Sequence, residues 1–377
     1  MSAIGVGRQE TLRSLLEGRR GLAAPAYLPT VHRNLPVGEV KRSNSALKAQ
    51  LGIPEGQTVP RTALLGMLAV QEALQQAGDL RAFRPVLISG TTVGGMDISE
   101  QLPPEERRPE DWDCGACSNA IAGHFGCFSS VITPSTACSS AANALQLGAR
   151  LIRAGRCEVA VAGGAECLTR FHLNGFRSLM IVDEQPCRPF DAGRAGLNLG
   201  EGAAYMVLES EAHARSRGAR PLAYLDGWGN ACDAYHQTAS SPEGEGAFLA
   251  MRQALQVAGL QPADIGYVNA HGTGTPNNDE SESQALQRVF GAQLPPVSST
   301  KGFTGHTTSA SGSIEAVFCL LALQEGFLPG NPGFQTPFPG GIVPQRASAP
   351  APSLNHVLCN AFGFGGNDSS LLFSKAL

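Results

Sequence analysis

Charge is scarce in this chain. Asp, Glu, Lys and Arg make up 16% of its 377 residues, and 28 basic side chains face 32 acidic ones for a formal net charge of −4. Without a basic excess or a basic patch, nothing points to a nucleic-acid partner. Long apolar runs are missing too: none approaches the ~20 residues of a membrane-spanning helix, so no membrane partner is expected. The first 21 residues, MSAIGVGRQETLRSLLEGRRG, lack a secretory apolar core followed by a cleavage site, and the chain reads as soluble and cytoplasmic. Ten cysteines are present, but signals for pairing are not. They are scattered, several within apolar runs, as reduced buried thiols are. Cys114 and Cys117 form a lone C-x-x-C with no second pair or paired histidines at zinc spacing, so no metal is expected. The glycine-rich turn after residues 85–89 matches neither the P-loop nor the dinucleotide fingerprint.

What is present is core. Hydrophobic residues reach 42% of the chain, ample for one large α/β domain or two fused halves. Apolar runs at 85–90, 157–166, 201–210, 221–230 and 265–270 read as strands. Between and around them, helical periodicity marks residues 10–17, 61–76, 138–155, 211–216, 246–258, 281–290 and 314–326. Residues 101–113 are polar with three prolines and read as a surface loop, while 173–200 shows no obvious element. The chain closes with two strands around a glycine turn, at 356–373. Such alternation argues for α/β with largely parallel sheets. Two successive halves, 1–217 and 218–377, each place a strand and a chemically loaded loop near their centre, which suggests duplication.

The centre of the chain is SSVITPSTACSSAANALQLGARLIRAG, residues 129–155. A β-branched run stops at Pro134, small residues turn the chain, and a helix starts at about Cys138. The cysteine thus sits at a strand–turn–helix corner, where the positive end of the helix dipole lowers a thiol pKa. Taken alone, a cysteine reads as one more small buried residue. The small flanking residues leave open space over the sulfur and favour a nucleophile.

Three further loops carry polar groups. His271 follows an apolar strand, at the carboxyl end where α/β proteins place their sites. His306 precedes a buried helix starting near Thr307, a place that favours neutral imidazole, able to donate to an oxyanion. Phe364 lies in the 363–366 turn, whose N–H groups can form an oxyanion hole. One histidine alone reads as a loop cap; two in glycine- and threonine-rich loops are harder to dismiss. Lys301 lies beside the second histidine loop, and Glu315 interrupts an apolar helix. Either the two form a buried ion pair, or Glu315 faces solvent on the first helical turn.

The blocks TACSS (136–140), AHGTGTPNND (270–279), KGFTGH (301–306) and FGFGGND (362–368) together resemble the signature of the β-ketoacyl–acyl carrier protein synthases. AGGAE, CRPFD and GEGAAYMVLE extend the likeness over nearly the whole chain. His306, where the initiating branch has asparagine, is similar to the elongating Cys-His-His enzymes. The resemblance implies a thiolase-like fold of duplicated αβαβα halves, as a homodimer or as a heterodimer with a ketosynthase-like subunit. It implies that Cys138 carries the acyl chain, that His271 and His306 stabilise the malonyl enolate, and that the N–H groups of Cys138 and Phe364 hold the tetrahedral oxyanion. Lys301 and Glu315 would order the histidine loop, Phe364 would gate the pocket, and Thr273 and Thr275 would contact the pantetheine arm. No separate cofactor is implied: acyl and malonyl thioesters would arrive on the phosphopantetheine of acyl carrier protein.

The chain departs from this pattern in three places. Family members begin with an extra apolar strand ending T-G-x-G, whereas this chain starts after it, near Ala3; either its start is misassigned or a central strand is missing or replaced. R-A-G-L at 194–197 stands where fatty-acid enzymes read R-D-G-F, which gives the acyl chamber Leu197 for a phenylalanine. The closing motif is GFGGND rather than GFGGTN. These features look more like ketosynthases of aryl-polyene and related pigment pathways, and a chamber suited to unsaturated or aryl-capped chains is expected. The competing readings are a chain-length-factor-like partner subunit, which typically lacks the cysteine, and a cysteine hydrolase, which needs an activating base beside the thiol.

Overall fold

The computed structural model describes residues 1–376, the side chain of Asp111 excepted. Two mixed sheets form its framework. The first holds β1 (Val86–Gly90), β2 (Ser130–Ile132), β3 (Val159–Glu166) and β4 (Gly202–Glu209) in the order β2-β1-β3-β4. The second holds β5 (Ala223–Cys232), β6 (Tyr267–Asn269), β7 (Val297–Ser298), β8 (His356–Gly363) and β9 (Asn367–Lys375) in the order β5-β9-β8-β6-β7. The sheets superpose in pattern. β1 runs parallel to β2 and β3, as β6 does to β7 and β8. β3 is antiparallel to β4, as β8 is to β9. That repetition is the duplication read in the sequence, but the expected largely parallel sheets are in fact mixed. For β8 and β9 the cause is local: the short turn between them permits only antiparallel pairing.

One difference breaks the repeat. β9 has β5 on its outer side, whereas β4 ends its sheet with no partner strand among the described residues. Along that edge Ser2 forms an isolated antiparallel bridge with Gly202, and the Ala203 N–H donates to Met1 O at 3.0 Å. A cavity of about 980 Å³ runs along that edge, lined by Met1, Tyr205, Val207, Tyr224 and Trp228 among others.

Helices fill three layers around the sheets. α1 (Arg61–Ala77) covers the outer face of the first sheet, beside α2 (Cys114–Phe125). α3 (Ser140–Arg153) is sandwiched between the sheets, and α4 (Arg170–Ser178) follows β3. α5 (Glu245–Ala258) covers the outer face of the second sheet with α6 (Pro276–Phe290) against it. α7 (Ser311–Glu325) joins α3 in the central layer, giving an αβαβα stack, the thiolase-like arrangement. Sheets on both sides explain why α7 is apolar nearly all round. Ile314, Phe318, Leu321 and Leu323 are all buried there, each contributing about 1.5–3 kcal/mol.

Several boundaries differ from the sequence reading. α3 begins at Ser140, and Cys138 lies in a 3₁₀ turn, Ala137–Ser139, ahead of it. α7 begins at Ser311 rather than near Thr307, with a 3₁₀ turn, Thr308–Ala310, in between. The 101–113 insertion is exposed as expected but contains two short helical turns. The 173–200 stretch is not wholly irregular, because α4 reaches into it. Its cap was readable: Thr169 accepts a hydrogen bond from the His172 N–H at 3.0 Å.

Candidate active site

The nucleophile turn is held by more contacts than it needs. Ala137 has φ 50°, a left-handed value that non-glycine residues seldom adopt. Such a conformation persists only where neighbours impose it. Here the Thr136 N–H donates to Ser140 Oγ at 2.9 Å, and that hydroxyl donates to Ala137 O at 2.7 Å. Ser139 Oγ lies 2.7 Å from Asn367 Oδ1, which also receives Asn143 Nδ2 at 2.8 Å. Asn367 thereby ties the start of β9 to the nucleophile helix.

The β8–β9 turn is drawn against Cys138. A Cβ on Gly363 would fall 2.9 Å from Thr136 O and 3.2 Å from Cys138 N, so only glycine permits this approach. The result places the Phe364 N–H as a donor to Cys138 Sγ. Cys138 is 5% exposed, and burial pushes its thiol up to about 12, against the lowering pull of Lys301 and the Phe364 N–H. This reverses the lowered pKa expected from the helix dipole. The dipole supplies up to ~2 kcal/mol at buried sites, while a single pKa unit costs about 1.4 kcal/mol and burial carries the thiol from 9.0 to about 12. The resting sulfur is a thiol.

A base stands beside it. His306 Nε2 is 3.0 Å from Cys138 Sγ, and its Nδ1 is 3.0 Å from Ser311 Oγ. Burial first, then the charge of Lys301, holds His306 well below the usual imidazole range. A neutral ring therefore accepts the Sγ–H proton at Nε2 and donates Nδ1–H to Ser311. Its neutrality owes more to burial than to the helix end invoked from sequence.

His271 sits across from it, ring centroids 5.2 Å apart and nearly perpendicular. Burial, then Lys301 and His306, depress its pKa as well. Lys301 Nζ lies 3.3 Å from His271 Nδ1, donates to His271 O at 2.6 Å, and donates to Glu315 Oε1 at 2.6 Å. A cation at Nδ1 leaves the ring proton on Nε2, a donor. Glu315 is 2% exposed, so of the two sequence readings the buried ion pair is correct. Burial raises Glu315 to about 7 even with Lys301 beside it.

Sequence reasoning missed four contributors. Glu282 on α6 accepts the N–H groups of His271 at 2.9 Å and Gly272 at 2.8 Å, holding the histidine loop from behind. Burial raises it to about 7. The only signal was an acid on the buried side of a polar helix. Ser311 gave no signal, and Asn367 stood within the FGFGGND block without an assigned role, since their partners come from distant segments. Phe176 on α4 stacks on Phe364, with centroids 5.7 Å apart and planes 16° apart. Thr273 is buried and Thr275 half-buried, their hydroxyls 2.8 Å apart in the loop after β6. Leu197 is buried in an aliphatic cluster with Leu168, Leu173 and Leu199, against which Phe176 packs.

Chemically this is a buried thiol between two convergent neutral imidazoles, one of them in reach as a base, with the Phe364 N–H as a backbone donor at the sulfur. Comparison with known proteins agrees. Residues 1–214 match the family described as beta-ketoacyl synthase, N-terminal domain, and residues 222–335 match the corresponding C-terminal domain. The chain is 32% identical over 408 residues to the 3-oxoacyl-[acyl-carrier-protein] synthase 2 of Vibrio harveyi, covering all of this chain and 96% of that one. Among solved structures, the ishigamide ketosynthase/chain length factor matches with a TM-score of 0.90 and 30% identity, over 99% of this chain and 96% of the other. A ketosynthase in complex with its chain length factor from Xenorhabdus doucetiae matches with a TM-score of 0.82 and 31% identity, over 100% and 96%. The chain belongs to the β-ketoacyl synthase family and is an elongating condensing enzyme of the acyltransferase class.

Proposed function

We propose that Cys138 carries the growing acyl chain and that His271 and His306 drive decarboxylation of a malonyl thioester delivered by acyl carrier protein. The observation that carries this reading is the 3.0 Å contact of Cys138 Sγ with neutral His306, beside the Phe364 N–H. In the first half-reaction the Sγ–H proton passes to His306 Nε2 as sulfur attacks the acyl thioester. The Cys138 and Phe364 N–H groups hold the oxyanion, and the proton leaves with the departing pantetheine thiol. Once the thiol has departed, the ring exchanges protons with water, gaining one at Nε2 and releasing that on Nδ1, and the Ser311 hydroxyl then donates to the bare Nδ1. In the second, the malonyl carboxylate leaves as carbon dioxide and its bonding pair becomes an enolate, whose oxygen receives both Nε2–H groups. The enolate carbon attacks the Cys138 thioester, and the cysteine sulfur departs from the β-ketoacyl product.

Lys301, Glu315 and Glu282 keep the His271 loop in place, and Thr273 and Thr275 contact the pantetheine arm. The protein needs no cofactor of its own beyond the phosphopantetheine that its substrates bring. Its partners are acyl carrier protein and a second ketosynthase-type subunit, the same chain or a related one. The partner-subunit-only alternative has no support here, since the cysteine and both histidines are assembled. The test is carbon dioxide release from labelled malonyl carrier protein. Losing one oxyanion donor typically costs about 10²–10³ in rate, so His271→Ala is expected to lose that much release while Cys138 still becomes acylated. Unchanged release contradicts the assignment.

A further inference from the structure

We infer that the open edge of β4 is a docking site for an extended strand of another polypeptide, apolar on both faces, which pairs antiparallel with β4 and fills the cavity beside it. None of the residues lining that cavity belongs to the cysteine and histidine loops, so the inference stands apart from the condensing-enzyme reading.

The internal repeat shows what such an edge accommodates. In the second sheet, β9 is paired antiparallel with β5 from Asn367 to Lys375. α5 lies directly on β5: a Cβ on Gly227 would fall 2.2 Å from Ala254 O, and one on Gly229 2.0 Å from Ala250 O. In the first sheet β4 stands in the place of β9, and α1 covers the outer face as α5 does. Where α5 meets a strand, Ala69 and Ala73 of α1 line a cavity of about 980 Å³.

The edge itself carries a row of free backbone groups. The Ala203 N–H donates to Met1 O at 3.0 Å, and the Met1 ammonium donates to Ala203 O at 2.6 Å, so Ala203 turns its backbone outward. Antiparallel pairing alternates along a strand, and Tyr205, Val207 and Glu209 turn theirs the same way. None of these three has a backbone partner outside the pairing of β3 with β4, among the described residues. Such a row is a template for one more strand. The antiparallel bridge of Ser2 with Gly202 already sets its direction.

The lining defines the chemistry of the occupant. Ala69 and Ala73 stand on the side of the outer helices, and Val317 and Leu320 of α7 on the side of the central layer. A strand covered on both faces is apolar at successive positions rather than at alternate ones. Charges of both signs line the cavity as well, Arg8 and Arg217 with Glu72 and Glu211, so neither a cationic nor an anionic ligand is favoured. A lone hydrocarbon chain would fill the volume but leave the edge unpaired. A peptide strand satisfies both.

The test adds an acetylated, amidated Lys-Val-Ala-Val-Ala-Val-Lys peptide to the full chain and follows amide hydrogen exchange at Tyr205 and Val207. With the peptide at about ten times its dissociation constant, both amides are expected to exchange about tenfold more slowly. The same peptide with every backbone nitrogen methylated, apolar but without donors, is expected to leave exchange unchanged. Ala73→Phe, which fills the cavity from α1 without altering β4, is expected to abolish the slowing, with circular dichroism intact. The inference is overturned by an unmodified peptide that slows neither amide, by equal slowing with the methylated peptide, or by slowing that survives Ala73→Phe. Protection that rises with protein concentration alone would give the edge to a second copy of the chain, and overturns it too.

Discussion

At the scale of single residues, Cys138 shows that position and environment pull a thiol in opposite directions. The strand–turn–helix corner was legible in TACSS, and so was the need for small neighbours. The depth of burial was not, because it comes from β8, β9 and α7 closing over the corner from far along the chain. Burial wins, and the sulfur rests protonated with its thiol near 12. Alkylation of Cys138 by iodoacetamide, followed by peptide mapping, is therefore expected to accelerate with pH up to at least pH 9 without levelling off. A plateau below pH 8 would show a preformed thiolate and remove the need for His306 as base. Glu315 makes the complementary point. Its helix left solvent exposure and an ion pair equally open, and only the packing of α7 between two sheets decides for Lys301.

Among elements, those with strong periodicity or an all-apolar run matched the sequence closely: α1, β3, β4, α5 and the closing β8–β9 hairpin. α4 escaped because its residues, RFHLNGFRS, mix bulky apolar and polar groups with a central glycine. The consequence was functional, since α4 brings Phe176 to the nucleophile turn. The β8–β9 turn was recognised, but its approach to Cys138 N was not, being a tertiary contact between halves. Gly363→Ala tests that contact. The added methyl would press on Thr136 O and Cys138 N, and the turn must back away. Acylation of Cys138 is expected to fall by about 10²-fold, the scale of one lost oxyanion donor, with secondary structure by circular dichroism intact. Full acylation in that variant would mean that the Phe364 N–H is dispensable.

For the molecule as a whole, the αβαβα plan follows from alternation of strands and helices, and the duplication is visible in the matched strand orders. The mixed character of the sheets was not legible, because strand direction depends on how connections cross. Burying a site of this kind also leaves a signature in stability. Asp97 and Asp279 are raised to about 6, Glu282 and Glu315 to about 7, and Asp368 to about 8, each chiefly by burial. Acids whose folded pKa is raised stabilise the fold below their unfolded values and lose that contribution as pH climbs through 6 to 8. His172, His271 and His306 are depressed by burial, so their contribution is present above their unfolded value of 6.5 and lost as pH falls below it. The two sets pull in opposite directions between about pH 4.5 and 6.5, and above pH 7 only the acids still titrate. The melting temperature is expected to decline from pH 7 toward pH 8.5, as Glu282, Glu315 and Asp368 give up their protons in the folded state; a steady rise through pH 8.5 would contradict the burial of these acids.

Everything in the proposed chemistry depends on one covalent bond, between an acyl group and Cys138 Sγ. Intact-protein mass spectrometry after incubation with acyl carrier protein bearing a short acyl chain, followed by peptide mapping, observes that bond. A single adduct on the peptide containing Cys138, absent from Cys138→Ala, is the predicted result. An adduct that persists in Cys138→Ala, or that maps to Cys114 or Cys117, would contradict it.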